Sequence, residues 1–301
     1  MAYALERLLI AGVSLLPERV SYGIAHGLGR LYFRCAPSRR RVALANLRRA
    51  YPGAKTDAEL LAIAARATGN VFESFLDSVL LPATGARAHP ATRIENPDWV
   101  RRIPNGPVLL LSAHLGSWEY AMVACALSGR PCHVVGRTVR NPLLAAHVFA
   151  VRESFGVRVY PRRGGFRSLT RGVLRGGIGI QAVDQNQRLR GVFAPWFGAI
   201  ASCERAAATL ALRKRIPLVV GVCVRTHPSR RRFRVEIHEP FVPEPTGDRD
   251  RDVLALVTRV NGMLEELILR YPDQYLWIHD RYRTRPPAPQ GLPATEESTP
   301  R

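Results

Sequence analysis

The feature that most constrains the fold is a series of six short apolar runs, rich in β-branched residues, between residues 107 and 240. Runs of this length and composition predict buried strands. The segments between them carry apolar residues at three- and four-residue spacing, which is typical of helices. Strands that alternate with helices favour an α/β domain with a mostly parallel central sheet flanked by helices. The six runs are PVLLLS (107–112), CHVVG (132–136), VRVYP (157–161), GIGIQAV (177–183), PLVVGVCV (217–224) and FRVEIHEP (233–240).

The chain before and after these runs is predicted to be helical. Residues 1–82 repeat apolar residues at helical spacing, and Thr56 or Asp57 is the expected N-cap of a long helix. A final amphipathic helix is expected at residues 251–272, where a proline stops it.

These patterns divide the chain into three parts. Residues 1–82 form the N-terminal helical region, and residues 83–285 form the α/β core, which we expect to be one continuous domain with that region. Residues 286–301 are rich in proline and poor in large apolar residues, which predicts a disordered tail.

The N-terminal region has an apolar run from Leu8 to Leu16 with charged residues on both sides. A spanning helix needs about 20 apolar residues, so this run is too short, and no basic segment or small-residue cleavage site indicates a signal peptide. One or two membrane-associated helices are expected here, followed by Arg39, Arg40 and Arg41 on anionic lipid head groups. A helical pair packed on the domain core fits the same pattern.

The charge of the chain limits its partners. Lys and Arg number 44 against 24 Asp and Glu, a net charge of +20. Such a field favours nucleic acid, anionic lipid head groups or an acidic carrier protein, and charge alone does not choose among them. Because Lys55 and Lys214 are the only lysines, a single arginine carries little functional information.

The cysteines predict a reduced interior rather than a disulfide framework. There are five, an odd number, scattered through apolar runs without a Cys-x-x-Cys pair. We expect reduced core thiols in a cytosolic setting and no zinc site.

The stretch SAHLGSWEY (112–120) follows the first predicted strand directly. On an unbroken helix, five positions separate two side chains by about 140° around the axis, so His114 and Glu119 would point to different faces. Gly116 allows a turn, and Ser117 can cap a helix that begins at Trp118. The turn would therefore let His114 and Glu119 form a dyad.

A histidine and a carboxylate in this arrangement suit general-base chemistry. Imidazole has an ordinary pKa near 6.5 and can take a proton from an alcohol that attacks a carbonyl, while the carboxylate fixes the ring tautomer. No Gly-x-Ser-x-Gly elbow is present, and Ser117 is assigned to capping, so no covalent nucleophile is evident. Direct acyl transfer to a substrate hydroxyl is the natural reaction.

Polar residues also follow two other predicted strands. Arg137 comes after CHVVG, and Asp184 and Gln185 come after GIGIQAV. In open α/β sheets the reacting groups collect at the carboxyl ends of the strands, so these residues could converge with His114. An arginine that faces solvent and an aspartate that caps the next turn are the alternatives.

Several blocks of this sequence, in this order, resemble the bacterial lipid A biosynthesis late acyltransferases, the lauroyl and myristoyl transferases, within the wider lysophospholipid acyltransferase-like group. The resemblance covers roughly residues 5–286. Two differences stand out: Ser117 replaces a usual asparagine, and PWFG replaces a more common Phe-Phe-Gly ending. The blocks are the helical stretch NLRRAYPGAKTDAELLAIAARATGNVFESFLD (46–77), HLGSWE (114–119), GRTVRNPLL (136–144), DQNQRLRGVFAPWFG (184–198) and RYPDQYLWIHDRYRTRP (270–286).

The resemblance implies an O-acyltransferase at the cytoplasmic face of the cell inner membrane. It would move a fatty acyl group from an acyl carrier protein thioester to a hydroxyl of a lipid A precursor, a glycolipid, with His114 as general base and Glu119 as its orienting acid. No metal or organic cofactor and no nucleic acid is implied, and a basic surface would suit both the carrier and an anionic membrane. The candidate substrate-binding residues are Arg137, Asn141, Arg163, Asp184 and Gln185.

Other readings stay open. The donor could be a CoA thioester, and the acceptor could be a lysophospholipid, glycerol phosphate or mannosylated phosphatidylinositol. Enzymes that acylate lysophospholipids normally carry Asp where Glu119 stands, which favours the lipid A group. A non-catalytic protein that binds nucleic acid would require a recognisable reading motif, and none is legible. A non-enzymatic membrane-surface protein would need only the N-terminal helices.

Overall fold

A computed structural model describes residues 11–85, 90–136 and 142–287. The N-terminal part is helical as predicted, with α1 (Glu18–Cys35), α2 (Pro37–Ala50) and α3 (Asp57–Gly85). Thr56 caps α3 in a reciprocal arrangement: its Oγ1 accepts from the Glu59 backbone N–H at 3.3 Å, and Glu59 Oε2 accepts from the Thr56 backbone N–H at 2.8 Å.

All six predicted strands are present: β1 (Val108–Ser112), β2 (Cys132–Gly136), β3 (Val157–Pro161), β4 (Ile178–Ala182), β7 (Leu218–Arg225) and β8 (Phe233–Ile237). They form one mixed sheet with the order β3-β2-β4-β1-β7-β8. The first five strands in this order are parallel to one another, and β8 is antiparallel to β7. The α/β class with a mostly parallel sheet is therefore confirmed.

Helices lie between the parallel strands along the chain and cover the sheet. The final amphipathic helix, predicted at 251–272, is present at Arg249–Arg270. Three short 3₁₀ segments also lie among the described residues: Pro90–Arg93, Pro97–Arg102 and Pro272–Gln274. The remaining helices are α4 (Trp118–Ala126), α5 (Pro142–Ser154), α6 (Gly165–Leu174), α7 (Ala206–Lys214) and α8 (Arg249–Arg270).

The sequence did not predict a two-stranded antiparallel hairpin, β5 (Val192–Trp196) and β6 (Ala199–Cys203). Its two-residue turn has positive φ at Phe197 (46°) and Gly198 (72°). Turns of this type favour Asn-Gly or Gly-Gly, so a loop with phenylalanine at the first position is not recognised as a hairpin turn from the sequence. Phe197 and the neighbouring Trp196 are buried in the core, and this packing compensates for the unfavourable backbone angle.

The core occupies both faces of the sheet, and the N-terminal helices belong to it. Leu47 of α2 and Leu60 of α3 lie in the same apolar cluster as Leu109 and Leu111 of β1. None of the helices in the described ranges combines the length and the apolar character that crossing a bilayer requires. Residues 1–10, which carry the start of the predicted apolar run, and most of the predicted tail lie outside the described residues.

All five cysteines are free thiols, as predicted. Four of them are buried in the core. Cys35, at the end of α1, is exposed, so the prediction of a core position is wrong for that residue. Cys35 is the last residue of α1 and belongs to neither apolar cluster of the core, which accounts for its exposure.

Candidate active site

The predicted turn after β1 is present. Ser117 caps α4, with its Oγ accepting from the Tyr120 backbone N–H at 3.3 Å, and α4 begins at Trp118. Gly116 has φ of +67°, and a Cβ there would lie 2.1 Å from the carbonyl oxygen of Cys223 in β7. Only glycine fits this position, because both the backbone angle and the close approach to β7 exclude a side chain.

The turn directs the ring of His114 towards Asp184, which follows β4. The distance from His114 Nδ1 to Asp184 Oδ1 is 2.8 Å, and the His114 backbone N–H donates to Asp184 Oδ2 at 3.0 Å. Because β4 pairs directly with β1 in the sheet, the two strand ends lie side by side. Asp184 is buried, while the His114 side chain keeps 25% of its surface exposed.

His114 and Asp184 each stabilise the charged form of the other. Burial is the largest influence on His114 and lowers its pKa, but the charge and hydrogen bond of Asp184 outweigh it, so the net pKa is raised above the ordinary value. Burial likewise opposes ionisation of Asp184, yet the charge of His114 and the hydrogen bonds from its ring and backbone hold the pKa of Asp184 below its ordinary value. Asp184 is therefore a carboxylate at neutral pH.

The hydrogen bonds define the ring tautomer that a base requires. A carboxylate can only accept, so Nδ1 of His114 carries the proton and Nε2 has the free lone pair. The Nε2 atom lies 3.3 Å from Nε2 of Gln185, whose amide can donate weakly to it. The ring of Trp118 lies beside the imidazole, with 5.9 Å between ring centroids.

Glu119 does not occupy the place that the sequence predicted for it. The carboxylate hydrogen-bonded to His114 is that of Asp184. Glu119 instead accepts from Ser78 of α3 at 2.8 Å and from Arg152 of α5, whose Nε lies 3.1 Å from Oε2. The helix cap at Ser117 turns the first residues of α4 towards α3 and α5, so Glu119 joins three helices in a buried ion pair.

A segment near the end of the chain holds the backbone of the turn. The Gly116 backbone N–H donates to the Gln274 carbonyl at 3.1 Å, and the Leu276 backbone N–H donates to the His114 carbonyl at 3.2 Å. Asn46 of α2 in turn donates to the carbonyl of Trp277 at 2.8 Å. The turn is thus fixed from sequence positions far from it on both sides.

A second cluster of charge lies behind the turn and was missed by sequence reasoning. Arg225 at the end of β7 forms ion pairs of 2.8 Å with both Glu73 and Asp77 of α3. The Tyr22 hydroxyl of α1 donates to Asp77 at 2.6 Å. Ser74, between the two acids, donates to the Gly116 carbonyl at 2.6 Å. The spacing Glu73-x-x-x-Asp77 places both acids on one helix face, which was an available signal.

The structure brings together His114, Asp184 and Gln185 of the predicted site residues. Arg163 lies in the exposed turn between β3 and α6, where its neighbour Arg162 is close enough for its charge to lower the pKa of His114. Arg137 and Asn141 lie outside the described residues. Within the described ranges, no group of three or more His, Cys, Asp or Glu side chains is placed to hold a metal ion.

The fold and the site define an α/β protein with a histidine–aspartate pair, suited to general-base catalysis, at the carboxyl edge of its sheet. A family model described as bacterial lipid A biosynthesis acyltransferase matches residues 3–284. The chain belongs to this family and is therefore an acyltransferase, which confirms the resemblance seen in the sequence.

Two relatives agree with this assignment. The chain is 24% identical to lipid A biosynthesis acyltransferase 2 of Shigella flexneri over 289 residues, 92% of this chain and 88% of the relative. It is 22% identical to lipid A biosynthesis acyltransferase of Haemophilus influenzae over 179 residues, 59% of this chain and 54% of the relative.

Proposed function

We propose that this protein transfers a fatty acyl group from an acyl carrier protein thioester to a hydroxyl of a lipid A precursor, with His114 as general base. The observation that carries the proposal is the double contact of Asp184 with His114, at 2.8 Å to the ring and 3.0 Å to the backbone. This contact leaves Nε2 as the basic atom of a ring that is partly open to solvent.

The reaction needs no covalent enzyme intermediate. The acceptor hydroxyl oxygen attacks the thioester carbonyl carbon while its proton passes to Nε2 of His114. The carbon–sulfur bond then breaks, and the leaving thiolate takes the proton from the imidazolium. Asp184 stabilises the imidazolium between these two steps, as the acid of a hydrolase triad does.

Glu119 acts in this proposal as a positioning residue rather than as the acid on the ring. Its bonds to Ser78 and Arg152 fix the first turn of α4 against α3 and α5. This contact supports the segment from Gly116 to Trp118, and through it the direction of the His114 ring.

The acceptor, the donor and the place of reaction follow from the family and from charge. The relatives carry lipid A biosynthesis in their names, which supports a lipid A precursor as acceptor. A net charge of +20 suits an acidic carrier protein and the anionic cytoplasmic face of the inner membrane. Arg137, Asn141 and Arg163 are the remaining candidates for contact with the substrate.

A lipid acylation assay tests the proposal. Purified protein is incubated with a panel of carrier and CoA thioesters and with either a lipid A precursor or a lysophospholipid, and the products are read by mass. We expect one added acyl group on the lipid A precursor, supplied by the carrier thioester. His114→Ala should lower the rate of this transfer by about 10²-fold or more, and His227→Ala, which removes an exposed histidine elsewhere, should leave it unchanged.

The other outcomes contradict defined parts of the proposal. Transfer only to the lysophospholipid would retain the base and overturn the acceptor. Transfer from CoA alone would overturn the carrier as donor. An His114→Ala protein that acylates normally would remove the proposed base.

A further inference from the structure

The outer face of α1 carries a stripe of exposed apolar side chains. Val20, Ile24, Leu28 and Leu31 follow one another at three- and four-residue spacing, and each is between 45% and 56% exposed. The opposite face of the helix packs on α3. Single exposed apolar residues are ordinary, but a continuous stripe on one helix face indicates a surface that contacts an apolar partner.

The surroundings of this stripe are basic. Between Glu18 and Asp57 the sequence contains no acidic residue, and Glu18 itself is ion-paired with Arg93 at 3.4 Å. An apolar helix face flanked by arginines fits the surface of an anionic bilayer, where the apolar residues enter the acyl boundary and the arginines meet the head groups. The exposed arginines of α1 and of the start of α2 are Arg19, Arg30, Arg34, Arg39, Arg40 and Arg41.

A row of aromatic rings connects this face with the candidate active site. Tyr32 of α1 lies 5.6 Å from Phe72 of α3, measured between ring centroids, and Phe72 lies 6.4 Å from Phe75. Phe75 lies 5.3 Å from Trp118, and Trp118 lies 5.9 Å from the ring of His114. Phe75 is 57% exposed although it is large and apolar. The row therefore offers an acyl chain an apolar surface from α1 to the catalytic base.

We propose that α1 lies in the surface of an anionic bilayer, with the face that carries Val20, Ile24, Leu28 and Leu31 towards the lipid, and that the acceptor lipid then reaches His114 by moving laterally along the aromatic row. The acceptor lipid leaves the bilayer with its acyl chain on the rings of Tyr32, Phe72, Phe75 and Trp118, so the chain does not cross open water. Its hydroxyl then arrives beside the imidazole. The second half of the proposal rests on the proposed acyl transfer, and the first half does not.

Vesicle binding tests the membrane face without any assay of activity. The full-length protein is floated with vesicles that contain phosphatidylglycerol, and in parallel with vesicles of phosphatidylcholine alone. We expect strong binding to the first and weak binding to the second. Ile24→Glu/Leu28→Glu should lower the partition coefficient by at least about tenfold, because two apolar side chains that would enter the lipid become charged.

The matched control is Leu254→Glu/Leu269→Glu, which places the same two charges on apolar residues of α8 that are 39% and 40% exposed. We expect it to bind as the wild type does. The membrane face would be overturned if the double variant bound vesicles as strongly as the wild type does. It would also be overturned if the wild type bound both kinds of vesicle equally. In a third outcome, neither protein binds vesicles, the wild type is a dimer in solution and the double variant is a monomer. The apolar stripe would then be the contact with a second copy of the chain.

The aromatic row is tested by kinetics with the acceptor embedded in vesicles. Phe75→Ala should raise the KM for the acceptor at least about fivefold with kcat kept within about twofold, and Phe75→Leu should restore most of the loss, because an apolar surface is what the chain needs. A fall in kcat at constant KM would overturn the route and give Phe75 a purely structural part. If the wild type acylates no acceptor, the proposed function fails, while the vesicle result still decides the membrane face.

Discussion

Two clusters of charge lie on either side of the same turn, and they differ in their access to solvent. The His114 side chain, paired with Asp184, is 25% exposed, whereas the Arg225 side chain, paired with Glu73 and Asp77, is 3% exposed. Both clusters join a strand end to a distant part of the chain. Access decides what each can do, because a proton can be exchanged with a substrate only at the open pair.

The closed cluster is fixed by several contacts on the same guanidinium. The Arg225 guanidinium lies 4.8 Å from the centre of the Phe233 ring as well as in its two ion pairs. Burial raises the pKa of Asp77 above its ordinary value, although the charge of Arg225 and the hydrogen bond from the Tyr22 hydroxyl oppose this shift. A buried ion network of this kind contributes little net stability when intact, but removal of one member leaves uncompensated charge.

The largest effect is expected at the open pair. His114→Ala removes the proposed base and should lower kcat by about 10²- to 10⁴-fold, the range of general-base assistance. Single-turnover acylation measures this directly. Circular dichroism should show that the variant is folded. Near-normal turnover would contradict the role of His114 as the base.

The next effect concerns the pH profile. Because Asp184 raises the pKa of His114, the base form is lost as the pH falls through a value above 6.5, the ordinary histidine pKa. Asp184→Asn should lower kcat/KM by about 10²-fold and move the acid limb of its pH profile to lower pH. Glu119→Gln is the control, since it should leave that limb in place. If Glu119→Gln moves the acid limb to lower pH and Asp184→Asn does not, Glu119 is the acid that orients His114, as the sequence predicted.

At the closed cluster we expect a loss of stability. Arg225→Met leaves Glu73 and Asp77 buried without their cation, and the free energy of unfolding should fall by about 3–5 kcal/mol. Denaturant unfolding measures it, with the exposed Arg215→Met as control. If the free energy of unfolding falls no more than it does in the control, the cluster does not stabilise the fold around the turn.

The smallest effect is expected at the helix cap between the two clusters. Ser117→Ala removes the hydroxyl that accepts from the Tyr120 backbone and should lower the free energy of unfolding by about 1 kcal/mol. Ser117→Asn, which restores a capping side chain, should recover part of that loss. Thermal unfolding of the three proteins makes the comparison, and an alanine variant as stable as the wild type would contradict the cap.

The sequence predicts the strands well because each is a short run rich in apolar and β-branched residues with clear ends. The structure has β2 and β3 at the predicted residues, and β1 begins one residue later than its run. It also confirms the turn at Gly116 and the cap at Ser117, since both depend on local backbone preferences. The β5–β6 hairpin escapes prediction because tertiary packing supports a phenylalanine with positive φ.

The identity of the acid on His114 depends on strand order, which local patterns do not encode. Glu119 is five residues away in sequence, but Asp184 is beside His114 because β4 is the neighbour of β1. The convergence of Asp184 with His114 at the sheet edge was expected, while its hydrogen bond to the ring was not. Spacing alone cannot tell which of two carboxylates a turn will face.

The bonds that tie the turn to residues 274–276 also bear on how the protein is made. Gly116 bonds to Gln274 and His114 to Leu276, so contacts some 160 residues apart in sequence complete the site. Contacts of such long range form late, after the loop-closure entropy of the intervening chain has been overcome. During synthesis, a chain that already contains both His114 and Asp184 still lacks a finished candidate site until residues 274–276, which follow its last α-helix, have left the ribosome.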